Sequence, residues 1–280
     1  MIIDCHVHLL AEKGYSGALI RECDQLGIDK VCLLAGPEAF SFWGSRMANN
    51  DELEKVYNEF PDRIYPFAFF RSGVHAPEQV DRLRERGFVG LKFTWARVSY
   101  DDESVYPVYE KVEHLRMPIL LHTGTILRTP ADRAEDVRST RMHPIFLDTV
   151  ARHFSELNLI GAHLGNPWYE EAAMSLFWNR NLYFDLSGTT LKRKPVSWFK
   201  EILWWDDSTK SRLAPNRDLS HYQSALADTH PLDRICFGTD VPIPEMSAAM
   251  DDYKHLADGM DAPESTRRRL WGENIVRMLS

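Results

Sequence analysis

Short apolar runs alternate along the chain with longer stretches in which apolar residues recur at helical spacing. Most of the runs are apolar at nearly every position, which is typical of parallel strands buried on both faces. Eight such runs occupy residues 2–8, 31–35, 65–70, 88–93, 118–122, 158–163, 182–187 and 234–238. Helical patterns occupy residues 16–26, 49–59, 77–86, 104–115, 144–155, 167–179 and 263–279.

Eight strands that alternate with helices over 280 residues predict an α/β fold. We expect a single distorted (β/α)8 TIM barrel with parallel strands, formed as one domain by residues 1–280. A doubly wound sheet is the main alternative, but the sequence contains neither GxGxxG nor a P-loop. The segment 188–233 is longer than one crossover helix requires, so we expect an insertion there. Its Trp204-Trp205 pair suits a lid on the barrel or a homodimer contact.

Composition and charge limit the classes of partner. Hydrophobic residues make up 44% of the chain, enough for a large core, and no apolar run approaches the length of a membrane span. The formal net charge of −8 argues against nucleic-acid binding, which needs a basic surface. Four scattered cysteines without a CxxC motif suit reduced thiols. We therefore expect a cytoplasmic protein that binds a small molecule and neither nucleic acid nor membrane.

The first apolar run contains two histidines in the segment Asp4-Cys5-His6-Val7-His8. Regular strand alternation predicts Asp4, His6 and His8 on one face, and Cys5 and Val7 on the other. Two imidazoles two residues apart on one face can bind the same metal ion. A His-x-His segment also occurs as two packed or surface histidines, so the motif alone leaves both interpretations open.

Polar side chains end five of the eight predicted strands. In a TIM barrel, the chemistry lies at the carboxyl ends of the strands, where these side chains meet at one mouth. Each has a structural explanation when taken alone, but so many polar groups are costly to bury unless they are paired or bind metal. The pattern therefore predicts a divalent metal site. The residues are His6, His8, Lys92, His122, His163 and Asp240.

Several motifs resemble the amidohydrolase superfamily, and within it the branch that includes aminocarboxymuconate-semialdehyde decarboxylase. They occur in order over nearly the whole chain, and their order and strand placement make the set specific. The matching segments are Ile3-Asp4-Cys5-His6-Val7-His8, Gly90-Leu91-Lys92-Phe93, Leu121-His122-Thr123-Gly124, Ala162-His163-Leu164-Gly165-Asn166-Pro167-Trp168, Asp185-Leu186-Ser187-Gly188 and Phe237-Gly238-Thr239-Asp240-Val241-Pro242.

The resemblance implies a metal centre at the barrel mouth. His163 matches either a ligand of a second ion or a histidine that contacts the water on a single ion. Lys92 matches a carbamylated lysine that bridges two ions, or a lysine that contacts substrate or water. We expect zinc, or else manganese, with one or two ions per chain. The residues that match ligands of the first ion are His6, His8, His122 and Asp240.

The resemblance also implies an enzyme. The first hypothesis is a metal-dependent hydrolase of a small anionic amide, ester or lactone, in which a metal-activated water attacks and Asp240 transfers the proton, helped by His163. The alternative is a nonoxidative decarboxylase of an aromatic or muconate-type acid. A barrel that only stores or binds metal is a third hypothesis, which the presence of every ligand type disfavours.

Basic and aromatic residues close to the strand ends are candidates for contact with an anionic, flat substrate. The arginines are explained equally well as solvated loop charges, and the tryptophans as packing residues. The candidates are Arg71, Trp95, Arg97, Arg128 and Trp168.

Overall fold

The structure is a computed structural model that describes residues 1–188, 190–205, 218 and 230–280. Its strands are β1 (Ile3–His8), β2 (Lys30–Leu34), β3 (Ser41–Phe42), β4 (Ser45–Arg46), β5 (Ile64–Phe70), β6 (Gly90–Phe93), β7 (Ile119–Leu121), β8 (Leu159–Gly161), β9 (Leu182–Asp185) and β10 (Ile235–Cys236). Eight of them form one parallel sheet in the order β1-β2-β5-β6-β7-β8-β9-β10. Strands β3 and β4 form a separate antiparallel hairpin.

Backbone hydrogen bonds bring the two ends of the sheet together. The Cys5 amide donates to the Phe237 carbonyl at 2.8 Å, and the Asp240 amide donates to the His6 carbonyl at 2.8 Å. The result is a nearly closed barrel, which confirms the predicted (β/α)8 fold. Several strands end earlier than their apolar runs do, so that His122 and His163 lie in the loops that begin at the barrel mouth.

Helices lie between most of the strands, as their apolar spacing predicts. Their bounds are α1 (Tyr15–Leu26), α2 (Asn50–Glu59), α3 (Glu78–Glu85), α4 (Tyr106–His114), α5 (Phe146–His153), α6 (Tyr169–Trp178), α7 (Val196–Ile202), α8 (Met246–Gly259), α9 (Glu264–Arg268) and α10 (Asn274–Leu279). The sequence pattern does not predict α7, α8 or the β3–β4 hairpin. Among the described residues, no helix has both the length and the apolar character needed to cross a membrane.

The predicted final helix is divided in two. Helix α9 runs into a wide turn at Arg269–Glu273 before α10 begins. A Cβ atom at Gly272 would lie 2.9 Å from the Met1 carbonyl oxygen. The turn thus accommodates the start of the chain, a tertiary contact that helical spacing cannot reveal.

Part of the predicted insertion at 188–233 is described. Its described part contains short helical turns at Leu191–Arg193 and Pro231–Arg234 and helix α7, while 189, 206–217 and 219–229 lie outside the described residues. The Trp204 ring contacts the Phe177 ring at a centroid distance of 4.8 Å. Trp205 Nε1 donates to the Met260 carbonyl at 2.5 Å. Both tryptophans therefore contact their own chain, and a homodimer stays a prediction.

Two apolar clusters hold the barrel together. The outer cluster lies between the strands and the helices, and an interior cluster draws residues from nearly every barrel strand. Ile275 and Met278 of α10 join the interior cluster. The interior cluster includes Ile3, Cys5, Cys32, Leu34, Phe67, Leu120, Ile160, Tyr183 and Cys236. Side chains thus fill the barrel beneath its mouth.

Strand β1 does not alternate regularly, which corrects one prediction. Its register with β2 shifts between Asp4 and Val7. Cys5 packs in the interior cluster, whereas Val7 packs in the outer one. The prediction that these two side chains share a face is therefore wrong, because an irregularity of the bulge type changes the alternation. A Cβ atom at Gly238 would lie 3.0 Å from both Cys5 Sγ and His6 Cβ, so Cys5 and His6 face the same neighbour.

Candidate metal centre and substrate cavity

Three of the predicted ligands converge at the mouth of the barrel. His6 Nε2 lies 3.2 Å from His8 Nε2, and Asp240 Oδ1 lies 3.5 Å from His8 Nε2 and 3.8 Å from His6 Nε2. The three donor atoms lie within 4.8 Å of one another. Two imidazole nitrogens and a carboxylate oxygen form a donor set that suits zinc or manganese.

The other predicted site residues surround this cluster. Lys92 Nζ lies 3.2 Å from His6 Nε2, and His163 Nε2 lies 3.8 Å from Asp240 Oδ2. The ring of His122 lies 5.1 Å from that of His163, measured between centroids. The structure therefore places all six polar strand-end residues at one mouth. Their individual roles, including carbamylation of Lys92, stay predictions.

Asp185, at the end of β9, is a site residue for which the sequence reasoning gave no role. Its Oδ2 atom accepts a hydrogen bond from His6 Nδ1 at 2.8 Å. Because the carboxylate can only accept, the His6 proton is on Nδ1 and the lone pair of Nε2 faces the cluster. Asp185 lies within the run 182–187, two residues before its end, so polar residues close to the end of the seventh run include it.

The same carboxylate fixes His163 through two links. The His163 amide donates to Asp185 Oδ1 at 2.9 Å, and the Ser187 hydroxyl donates to that oxygen at 2.5 Å. Because the Ser187 hydroxyl donates to Asp185, its Oγ accepts the hydrogen bond from His163 Nδ1, at 2.8 Å. His163 has a left-handed backbone with φ of 62°, which is strained for a residue with a side chain. These bonds stabilise that conformation and direct Nε2 towards Asp240.

Asp4 has a structural role in the fold. Its Oδ1 accepts from the amides of His6 and Thr239 at 3.0 Å each, and its Oδ2 accepts from Thr239 Oγ1 at 2.6 Å. The carboxylate therefore joins β1 to the segment after β10. These contacts give Asp4 structural support as its role, whereas Asp185 contacts the imidazole of His6.

Burial determines the charge states of the cluster. It lowers the pKa of His6 to about 3, with the Lys92 ammonium adding to the effect, and lowers the pKa of His8, His122 and His163 as well. Neutral imidazoles are the form that binds metal. Burial also raises the pKa of Asp240. A bound cation would favour the Asp240 carboxylate by supplying the opposite charge.

Two buried polar atoms test whether a metal fits the site. Within the described part of the chain, His122 Nε2 and Asp240 Oδ1 are buried without a hydrogen-bond partner. Leaving such atoms unsatisfied costs about 1–3 kcal/mol each. A cation bound by His6, His8 and Asp240 would satisfy Asp240 Oδ1, and His122 lines the cavity above these residues, so the residues fit the metal that the donor set predicts.

A cavity of about 410 Å³ opens above the cluster. The rings of Phe40 and Trp95 form an edge-to-face pair on one wall, with centroids 5.7 Å apart. Arg128 lines the cavity and is exposed, which leaves its guanidinium accessible to an anion. Five of the polar strand-end residues line the same cavity: His8, Lys92, His122, His163 and Asp240.

Three predicted substrate residues are not among the described residues that line this cavity: Arg71, Arg97 and Trp168. Arg71 forms an ion pair with Glu135, joining Nη1 to Oε2 at 2.6 Å. Arg97 lies 3.8 Å from the same carboxylate. Trp168 packs on His143, with ring centroids 4.4 Å apart. The structure thus gives each of them a contact with protein, while Trp95 and Arg128 line the cavity.

Comparison with solved structures shows the same fold. A dihydroxybenzoic acid decarboxylase from Polaromonas sp. JS666, with bound manganese and the inhibitor 2-nitroresorcinol, is 17% identical with a TM-score of 0.63. The match covers 99% of this chain and 96% of that one. A probable 2-pyrone-4,6-dicarboxylic acid hydrolase from Acinetobacter baumannii, with bound citric acid, is 13% identical with a TM-score of 0.61. That match covers 99% of this chain and 98% of the other.

An uncharacterised TIM-barrel protein from Bordetella bronchiseptica is 16% identical with a TM-score of 0.66, over 99% of this chain and 98% of that one. A search of curated proteins gave no match. At these identities the solved structures establish the fold alone. The amidohydrolase family model matches residues 3–280. Because that match covers nearly the whole sequence, the chain belongs to the amidohydrolase family.

Proposed function

We propose that this protein is a metal-dependent nonoxidative decarboxylase of a flat, unsaturated carboxylic acid. The observation that carries the proposal is the position of the His6–His8–Asp240 cluster at the floor of a cavity with the Trp95 ring in its wall. Aromatic walls suit planar substrates, and the exposed Arg128 suits an anion. The manganese-containing dihydroxybenzoic acid decarboxylase of similar fold supports the same reaction class.

The metal would be held by His6, His8, His122 and Asp240. When bound, it supplies positive charge that attracts an anionic substrate and stabilises negative charge as it develops. Asp185 fixes the His6 tautomer that this binding requires, through the 2.8 Å hydrogen bond to Nδ1.

His163 would supply the proton in this reaction. The bond between the carboxyl carbon and the ring or diene carbon breaks, and its electron pair stays on the latter. That carbon takes a proton that His163 Nε2 has first accepted from solvent water, and CO2 leaves without any change of redox state. Ser187 holds His163 Nδ1 at 2.8 Å, which leaves Nε2 as the atom that transfers the proton.

Hydrolysis of an anionic amide, ester or lactone is the second candidate function. The observation in its favour is the Asp240 carboxylate, which has Oδ1 beside His8 and Oδ2 beside His163. In that position it could take a proton from an attacking water and transfer it to the leaving group. The probable pyrone dicarboxylic acid hydrolase of similar fold supports this alternative.

The test uses protein loaded with zinc or manganese. The two probe acids are 2,6-dihydroxybenzoate and 2-pyrone-4,6-dicarboxylate. Each acid is incubated with the protein once in D2O and once in ¹⁸O-labelled water. Decarboxylation releases CO2 and leaves deuterium on the carbon that lost the carboxylate. Hydrolysis without CO2 release, with ¹⁸O in the product, would overturn the first candidate in favour of the second. Metal content per chain and intact mass, measured on the same protein, test for a second ion and for carbamylated Lys92.

A further inference from the structure

Arg71 connects three segments above the barrel. Its Nε donates to the Trp95 carbonyl at 2.6 Å, its Nη1 to Glu135 Oε2 at 2.6 Å and its Nη2 to the Glu135 carbonyl at 2.5 Å. The side chain is buried. The guanidinium therefore joins the end of β5, the turn after β6 and the loop after β7.

Both partners of Arg71 lie in segments that contribute to the wall of the cavity. Trp95 lines the cavity and has a left-handed backbone with φ of 54°. Glu135 lies in the loop 125–137, whose residues Ile126, Leu127 and Arg128 line the same cavity. A left-handed tryptophan is strained, so its conformation depends on contacts that hold it in place.

The wall has a small apolar cluster of its own, separate from the two clusters of the barrel. We call it the wall cluster: it consists of Phe40, Met47 and Trp95, packed against Ile126, Ala131 and Val137. So few apolar side chains bury little surface, which makes a polar anchor important for its order. Arg71 is placed to be that anchor, because it contacts the cluster through Trp95 and the loop through Glu135.

We infer that Arg71 is a positioning residue that fixes the wall of the substrate cavity through Trp95 and Glu135. The inference rests on the proposed function in one respect, namely that this cavity binds the substrate. The planar guanidinium makes these three bonds from three separate nitrogens in a fixed geometry, whereas the three donors of an ammonium are all on one nitrogen. Replacing Glu135 by Gln also removes the carboxylate that is paired with the buried Arg71 guanidinium.

The test measures hydrogen exchange of the loop 125–137 in metal-loaded wild type, Arg71→Gln and Glu135→Gln. We expect exchange in this loop to become at least about tenfold faster in both variants, with the barrel strands unchanged. The double variant should resemble the single ones, because the two residues act as a unit. Glu135→Gln keeps the shape of the side chain and serves as the second variant if Arg71→Gln does not fold.

Arg86→Gln is the matched control, since Arg86 pairs with Asp51 and Glu54 at 2.6 and 2.7 Å and does not line the cavity. Unchanged exchange in the loop, or an equal increase throughout the barrel, would overturn the inference. With an active substrate, the KM of Arg71→Gln should rise about tenfold while its kcat changes less than about threefold. A raised KM with unchanged loop exchange would instead mean that Arg71 contacts substrate directly. Exchange needs no turnover, so the loop result stands even if the proposed reaction is wrong.

Discussion

The floor and the wall of the cavity are built by different means. The floor consists of side chains at strand ends, such as His6 and His8, where the sheet fixes the backbone and Asp185 fixes an imidazole. The wall consists of loops that carry Trp95 and Arg128. Trp95 packs in the wall cluster, and the buried Arg71 joins the loops. The floor therefore depends on the sheet and on the residues directly after its strands, whereas the wall depends on how loops pack against one another.

Asp240→Asn should have the largest effect, because it changes the floor directly. The variant keeps the shape of the side chain but removes the negative charge that a bound cation needs. We expect loss of tightly bound metal and a fall in kcat/KM of about 10³-fold or more, about 4 kcal/mol. Metal content and turnover measure the two effects. The exposed Asp251→Asn is the matched control, and an Asp240→Asn protein with full metal content and activity would remove Asp240 from the metal centre.

Asp185→Asn should have an intermediate effect, because Asp185 acts on the floor through His6 and His163. An amide can donate to His6 Nδ1 and thus favour the wrong tautomer, so we expect metal affinity to fall about 10- to 100-fold. The measurement is a competitive titration with a chelator of known affinity. The other buried carboxylate provides the comparison: Asp4→Asn should lower thermal stability but change metal affinity less than about threefold, since Asp4 contacts Thr239 and the backbone of His6. Equal losses of affinity in both variants would contradict the separate roles.

Much of the floor could be predicted from the sequence, for a physical reason. Parallel strands bring their carboxyl ends to one mouth, so polar residues such as His122 and Asp240 that end apolar runs must converge. Asp185 also lies at a strand end, but no role for it is predicted from the sequence, and its contact with His6 becomes clear only in the structure. The irregularity in β1 could not be predicted, since it depends on the register with β2.

The wall was predicted less well, because its contacts depend on how loops fold back. Arg71, Arg97 and Arg128 each follow a strand and are equivalent in the sequence. In the structure, Glu135 engages Arg71 from the loop 125–137, which is 64 residues away in sequence. No local pattern specifies such a pairing. Helix positions, by contrast, follow from local apolar spacing, so most helices were predicted correctly and the break near Gly272 was not.

Arg128→Gln should have the smallest of these effects, confined to the wall. Arg128 is exposed and lines the cavity, so its loss removes a charge-assisted contact with an anionic substrate. Such a contact contributes about 1.5 kcal/mol or more, which corresponds to a rise in KM of about tenfold. Metal content should stay unchanged. Arg97→Gln is the matched comparison, because its pairs with Glu135 and Asp136 at 3.8 and 3.7 Å are partly exposed and weak. We expect the KM of Arg97→Gln to change less than about threefold. A larger rise in KM for Arg97→Gln than for Arg128→Gln would mean that the loop 125–137 presents a different face to the substrate.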